Sequence, residues 1–161
     1  MTRQELQDLY DQLGPALVAY ARMLTGSHAA AEDVVQQVFL KLSRFGTGVP
    51  QDSRPYLFRA VKNTALNYRR DRAREADPSQ FLPAFEPSSR QNGAVPALEA
   101  ALAELPEEQR QIVFLRIWGE MSIEDTAQLL NILPATAASR YRYALAKLRK
   151  RMSSYLRGHH E

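Results

Sequence analysis

Positively charged side chains that could bind phosphate are concentrated near the C-terminus. Between Asn131 and Gly158 every charged residue is basic: Arg140, Arg142, Lys147, Arg149, Lys150, Arg151 and Arg157. A run of one sign on a helix is typical of a surface that faces a phosphate backbone. Lys and Arg are also favoured at helix C-termini, which explains Arg149 to Arg151 better than Arg140 and Arg142. The segment therefore predicts phosphate binding, with DNA as the expected ligand.

A second group of cations lies upstream, in a predicted helix from Pro55 to about Arg74. Aromatic residues are interleaved with the cations, a combination typical of surfaces that track a backbone and stack unpaired bases. The aromatic residues could equally be core, and we favour the core for Phe58 and Leu66. The group comprises Arg54, just before the helix, and within it Tyr56, Arg59, Lys62, Asn63, Asn67, Tyr68, Arg69, Arg70, Arg72 and Arg74.

Residues for acid–base or metal chemistry are sparse. The three histidines are His28, His159 and His160, and there is no cysteine. The adjacent carboxylates of Glu32-Asp33, like those of Glu107-Glu108, diverge on a helix and cannot share a site. His159-His160 could hold a metal, but a frayed terminus is the simpler interpretation. We expect no catalytic residue, no metal and no cofactor.

Composition is that of a folded protein that does not enter a membrane. The chain has 161 residues, of which 45% are hydrophobic and 24% charged, and a net charge of +3. No apolar run approaches the roughly 20 residues needed to span a bilayer. We expect a cytoplasmic protein without membrane insertion.

The C-terminal cations are positioned by a predicted helix-turn-helix. Ser122 is suited to cap a short first helix, and Asn131 to Pro134 form the turn. The second, recognition helix is expected from Thr136 to Leu148. On it Ala137, Tyr141, Ala144, Leu145 and Leu148 should face inward, with Ser139, Arg140, Arg142 and Tyr143 spread around the opposite side.

The N-terminal half reads as three helices. The first runs from Gln4 to Leu24, where Gly14-Pro15 should kink or divide it. The second runs from about His28 to Arg44 with Ser27 as its cap, and a loop to Arg54 precedes the third. The second helix should turn Val34, Val35, Val38, Phe39 and Leu42 inward and Asp33, Gln36, Gln37 and Lys41 outward.

A Pro- and Ser-rich stretch from 77 to 96 is expected to be a linker. The apolar residues within it, such as Phe81 and Phe85, either dock on a partner or are ordinary loop residues. Neither half shows strand-like alternation. The prediction is an all-α protein of two small helical domains, 1–76 and 97–161.

Four short motifs follow one another along the chain. The stretch from Ala31 to Leu40 is similar to an AEDxxQxxF helix, and that from Tyr56 to Arg70 to a WLxxIARNxxxDxxRR helix. Leu105 to Arg110 resembles an LPxxxR lead-in, and Thr136 to Arg140 resembles TVxSR. With these motifs in the family's order, the chain resembles a bacterial extracytoplasmic-function (ECF) sigma factor of the sigma-70 family.

The resemblance implies a role for each surface. The second helix would bind the clamp helices of core RNA polymerase, through Asp33, Gln36, Gln37, Phe39 and Lys41, and the flap is a further expected contact. The third would bind the single-stranded minus-ten element, through Arg54, Arg59, Lys62, Asn63, Asn67, Arg69 and Arg70. The recognition helix would bind the minus-thirty-five element, through Thr136, Ser139, Arg140, Arg142, Tyr143 and Lys147.

The resemblance also admits an anti-sigma factor as a third partner. Two rival interpretations remain open at this point. One is a dimeric helix-turn-helix repressor, which would bind duplex DNA without polymerase. The other is a sigma-like decoy that sequesters an anti-sigma factor, and a decoy should have lost the basic surfaces that this sequence retains.

Overall fold

The computed structural model describes residues 2–45, 52–75 and 94–158, and within these ranges the chain forms seven helices and no strand. They are α1 (Arg3–Thr25), α2 (His28–Phe45), α3 (Ser53–Glu75), α4 (Ala94–Glu104), α5 (Glu107–Ile117), α6 (Ile123–Leu130) and α7 (Pro134–Gly158). The helices fall into two compact units, divided between Phe85 and Glu86. The all-α prediction is confirmed. None of the helices in these ranges has the length and apolarity to cross a membrane.

The first unit is a three-helix bundle in which α1 packs on both α2 and α3. Tyr20 of α1 and Phe58 of α3 are fully buried and meet edge to face, with ring centroids 5.5 Å apart. Edge-to-face packing is a favoured geometry for aromatic pairs. Phe58 therefore belongs to the core, whereas Leu66 is only partly buried. The five α2 residues expected to face inward are all buried: Val34, Val35, Val38, Phe39 and Leu42.

Local capping interactions determine where α1 and α2 begin. Thr2 and Glu5 form a reciprocal capping box at the start of α1, which satisfies two backbone donors that the helix leaves open. The Ser27 hydroxyl accepts from the amide of Ala30 and caps α2, as predicted. Pro15 lies inside α1 and does not divide it.

The second unit is built around α7, which packs against α4, α5 and α6. Its core includes Leu102, Leu105, Val113, Ala144 and Leu148. Apolar residues of α4 and α5 thus pack against α7, the second helix of the helix-turn-helix.

Several boundaries differ from the sequence-based expectations. Helix α7 begins at Pro134 and not at Thr136, because proline suits the first helical turn, where no backbone donor is needed. It continues ten residues past Leu148, to Gly158. Arg54 lies in α3 and not in the preceding loop. Most of that loop, 46–51, and most of the expected linker, 77–93, lie outside the described residues, while 94–96 already belong to α4.

Candidate nucleic-acid interface

The helix-turn-helix forms from the interactions that the sequence suggested. The Ser122 hydroxyl accepts from the amide of Asp125 at 3.0 Å and caps α6. Asn131 ends α6 in the left-handed conformation, with φ 57°, which Asn tolerates better than most residues. The amide of Ile132 then donates to the carbonyl of Ala127 at 3.0 Å. The three residues between α6 and α7 are thus held in a tight turn.

Helix α7 separates its apolar and polar side chains as expected. Ala137, Ala144 and Leu148 are buried, and Tyr141 and Leu145 are partly buried. The Tyr141 ring lies 5.2 Å below the guanidinium carbon of Arg116 on α5, a favourable cation–π contact. The candidate minus-thirty-five residues Arg142, Tyr143 and Lys147 are exposed, and Thr136, Ser139 and Arg140 are partly buried.

Two cations of α7 are paired with carboxylates of the preceding helices. The Arg140 guanidinium lies 3.6 Å from the Glu108 carboxylate of α5, and that of Arg151 lies 2.9 Å from the Glu104 carboxylate of α4. Lys147 lines a groove of about 480 Å³ beside Glu104 and Arg151. The sequence alone did not reveal these acidic neighbours, because they come from other helices.

The candidate minus-ten residues of α3 divide by exposure. Arg59, Asn63, Asn67 and Arg70 are exposed, while Arg54, Lys62 and Arg69 are partly buried. Asn67 accepts a hydrogen bond from the Arg70 guanidinium. A surface groove of about 830 Å³ is lined, among the described residues, by Asn63, Leu66, Asn67, Arg69, Arg70 and Ala73.

Lys62 of α3 is partly buried and lies beside another cation, Arg59. Burial lowers the pKa of its ammonium group, and the neighbouring positive charge of Arg59 lowers it further. Both effects disfavour the charged form. A negative group brought to this surface would therefore relieve a repulsion that already exists in the fold.

The outward face of α2 is polar, as predicted. Asp33, Gln36, Gln37 and Lys41 are exposed, and the Gln37 amide donates to the Asp33 carboxylate at 3.1 Å. Phe39, which the resemblance had placed on the polymerase-binding surface, is instead buried at 7% exposure.

Phe39 lies on the inward side because it follows Val35 by one helical turn. Its ring packs edge to face against Tyr10, with centroids 5.1 Å apart. It therefore supports α2 from within. Leu40 is 56% exposed beside the polar residues. The sequence analysis missed it, since leucine in a helical pattern is ordinarily assigned to the core.

The two candidate surfaces of the first unit adjoin each other. A groove of about 370 Å³ between α2 and α3 is lined by Lys41 from one and by Tyr56, Asn63 and Asn67 from the other. Tyr56 is 43% exposed there. In the described residues no group of three or more His, Cys, Asp or Glu side chains could hold a metal ion.

Comparison with known proteins identifies the two units. Residues 9–75 match the family model for sigma-70 region 2, and residues 96–148 match that for sigma-70 region 4. The RNA polymerase sigma-E factor of Streptomyces avermitilis is 33% identical over 144 residues, which cover 86% of this chain and 80% of that protein. The ECF sigma factor SigL of Mycobacterium tuberculosis is 31% identical over 153 residues, 89% of this chain and 86% of that protein.

A solved structure is similar across nearly the whole chain. It is the sigma factor RpoE of Bartonella quintana in complex with the anti-sigma factor NepR, with a TM-score of 0.74 and 26% identity, covering 94% of this chain and 98% of that one. Both sequence and fold agree with the resemblance drawn from the four motifs. The chain belongs to the sigma-70 family, as an ECF RNA polymerase sigma factor.

Proposed function

We propose that this protein is a dissociable sigma subunit whose three exposed surfaces on α2, α3 and α7 bind core polymerase, the minus-ten element and the minus-thirty-five element. The observation that supports this most directly is that one chain carries both region 2 and region 4, each folded as its own unit. Two separate DNA-binding units can engage two separated promoter elements. The polymerase performs the covalent chemistry, and the sigma subunit itself is no enzyme.

Core polymerase binds the outward face of α2 in this proposal. Asp33, Gln36, Gln37 and Lys41 offer hydrogen-bonding groups, and the exposed Leu40 adds an apolar contact among them. Interface cores commonly combine an apolar anchor with a surrounding polar rim. Phe39 contributes indirectly, because its packing against Tyr10 holds α2 in place.

The minus-ten element binds α3 as a single strand. Arg59 and Arg70 supply exposed positive charge for the backbone, and Asn63 and Asn67 supply amide groups for the edges of unstacked bases. Tyr56, exposed in the groove that also contains Asn63 and Asn67, offers an aromatic face for stacking. Capture of extruded bases offsets a few kcal/mol of unstacking cost.

The minus-thirty-five element binds the first turns of α7. Ser139, Arg140 and Arg142 lie near the N-terminal end of this helix, the end that enters the major groove in helix-turn-helix proteins. To contact DNA, the Arg140 guanidinium has to break its ion pair with the Glu108 carboxylate or bind both groups at once. We therefore expect Glu108 to weaken binding to duplexes that offer Arg140 no compensating contact.

The protein acts in the bacterial cytoplasm, where polymerase and promoters are, and an anti-sigma factor controls it. The similarity to the RpoE–NepR complex supports such a partner. A partner that covers α2 or α7 would compete with polymerase or DNA for the same side chains.

The test is transcription in vitro with purified core polymerase and a genomic promoter library. Wild type is compared with the double variant Asp33→Arg, Gln36→Ala. The matched control is Asp8→Arg on α1, which makes the same charge change at another exposed aspartate bonded to a glutamine four residues away. We expect initiation at new sites with wild type and the control, and loss of initiation with the double variant.

The alternatives predict other outcomes. A repressor would bind duplex DNA without core and give no initiation. A decoy would bind neither core nor promoter. Either result, obtained with folded wild-type protein, would reject the sigma-subunit proposal. Equal initiation by wild type and double variant would support the sigma-subunit function but show that the α2 surface does not bind core polymerase.

A further inference from the structure

The basic end of α7 extends beyond the residues that match the region 4 family model. The region 4 match ends at residue 148, while α7 continues to Gly158. The extension contains Arg149, Lys150, Arg151 and Arg157 and no acidic residue. The recognition of the minus-thirty-five element, as proposed above, does not use these four cations.

Acidic neighbours divide the cations of α7 into two sets. Arg140 and Arg151 are eleven residues apart, which places them on nearly the same side of the helix. Each faces a carboxylate, Glu108 at 3.6 Å and Glu104 at 2.9 Å. The positive charge on this side of α7 is therefore partly neutralised within the unit itself.

The other set forms two rows on the outward side. Arg142 and Arg149 are seven residues apart, as are Lys150 and Arg157, and seven residues make about two turns. All four are exposed. Among the side chains that the structure describes, no carboxylate forms an ion pair with any of them. Within that set, Arg142 donates to the Ser139 hydroxyl and Arg157 to the Ser153 carbonyl.

Favourable interaction with the helix dipole explains only part of this pattern. The dipole acts within the last turn of a helix, where Arg157 lies. Arg149 and Lys150 lie two turns earlier and gain little from it. Arg149 also covers no apolar core, because it lies on the side of α7 away from Ala144 and Leu148. Lys150 lines the groove that also contains Ala101, Glu104 and Leu105, and its side chain stays exposed.

The rows continue the positive surface of the DNA-binding part of α7. Arg142 lies in the part of α7 that binds the minus-thirty-five element in the proposed function, and the rows begin there. At 1.5 Å per residue, Arg149 lies about 10 Å and Arg157 about 22 Å beyond Arg142 along the helix axis. The later cations therefore extend the positive surface from the proposed binding site toward phosphates that flank the element.

We propose that the end of α7 is a second DNA-contacting element, in which Arg149, Lys150 and Arg157 bind backbone phosphates of the duplex beside the minus-thirty-five element. The inference rests on the proposed function, because it assumes that the first turns of α7 bind promoter DNA. The contacts are independent of base sequence. They increase the affinity for any promoter, while the sequence specificity comes from the first turns of the helix.

The test measures binding of the full chain to a labelled random-sequence duplex of about 30 base pairs, long enough for nearly three turns. Fluorescence anisotropy is recorded from about 50 to about 200 mM salt, because each phosphate contact adds about 0.9 to the slope of log affinity against log salt. The triple variant Arg149→Gln, Lys150→Gln, Arg157→Gln should lower the slope by about two to three.

Arg151→Gln is the matched control, since Arg151 lies in the same segment but is paired with Glu104. Its slope should change by less than about one. Far-ultraviolet circular dichroism checks that both proteins keep their helix content. A wild-type slope in the triple variant, equal losses in the triple variant and the control, or no duplex binding by wild type at low salt would each overturn the inference.

Binding to core polymerase and transcription in vitro are measured with the same proteins. A triple variant that loses core binding but keeps the wild-type salt slope would mean that the end of α7 faces a protein, which also overturns the inference. If wild type initiates transcription while the triple variant has an unchanged slope, the inference fails and the sigma-subunit function stands. If wild type neither binds core nor initiates, the function itself fails.

Discussion

The guanidinium of Arg110 donates a 2.8 Å hydrogen bond to the backbone carbonyl of Leu105, the residue that follows the last turn of α4. The same side chain donates to the carbonyls of Leu102 and Ala103, each at 3.0 Å. Arg110 is only 8% exposed. One buried cation of α5 thus satisfies three carbonyls at the C-terminal end of α4, which explains in physical terms why the LPxxxR lead-in ends in arginine.

Arg110→Ala should destabilise the second unit by about 3 kcal/mol, because buried carbonyls without donors cost about 1–3 kcal/mol each and the chain relaxes in part. Arg110→Lys should recover little, since an ammonium cannot reproduce the planar fork of donors. Trp118 is the only tryptophan and lies in this unit, so its fluorescence during urea unfolding reports on this unit alone. Arg149→Ala, at an exposed site, should change stability by less than about 0.5 kcal/mol. A similar midpoint for Arg110→Ala and Arg149→Ala would contradict the capping role.

Thr126→Val should stabilise the second unit by about 1 kcal/mol. Thr126 is fully buried, and among the described residues its hydroxyl has no hydrogen-bond partner. Replacing an unsatisfied buried hydroxyl by a methyl group of the same shape removes a desolvation cost. The midpoint of the Trp118 transition in urea should rise. Thr64→Val is the control, because the Thr64 hydroxyl donates to the Ala60 carbonyl at 2.9 Å, and it should bring no gain in thermal stability. A lower midpoint for Thr126→Val would mean that the hydroxyl is satisfied in solution.

The same substitution should have opposite effects at two glycines. A β-carbon at Gly119 would lie 2.7 Å from the Leu115 carbonyl oxygen, so Gly119→Ala should cost about 1–3 kcal/mol in the second unit. At Gly14, inside α1, the nearest atoms would be those of the Tyr10 ring at 3.7 Å, an ordinary contact. Gly14→Ala should therefore stabilise the first unit by about 0.5–1 kcal/mol. Trp118 fluorescence follows the first variant and circular dichroism the second, and effects of equal sign would refute this account.

Lys62→Met should maintain or raise the stability of the first unit while reducing transcription. The pKa of Lys62 is lowered by burial and by Arg59, so the folded state binds this proton more weakly than the unfolded state. Stability then increases as pH rises from the folded pKa of Lys62 to its unfolded pKa. In wild type, the unfolding temperature followed by circular dichroism should therefore include this stabilising contribution at alkaline pH. In Lys62→Met the contribution should be smaller. A variant with lower stability at neutral pH would show that Lys62 supports the fold.

The helices, their apolar faces and the helix-turn-helix were predictable from the sequence because they depend on neighbours in the chain. Ser27 and Ser122 cap through amides three residues away, and Val34 to Leu42 repeat at helical spacing. Two prolines were harder to interpret. A kink or a division of α1 was expected at Gly14-Pro15, and the helix is not divided there. Pro134 was expected only to end a helix, yet it opens α7.

Which charges face one another was decided by the tertiary structure alone. The sequence presented α7 as a single run of cations, but Glu104 of α4 and Glu108 of α5 each pair with one of its arginines. The family resemblance likewise placed Phe39 on the polymerase-binding surface, whereas in the structure Phe39 is buried and packs against Tyr10. Helical periodicity predicts the side of a helix on which a residue lies. The residue that meets it there depends on how distant segments pack, which no local pattern encodes.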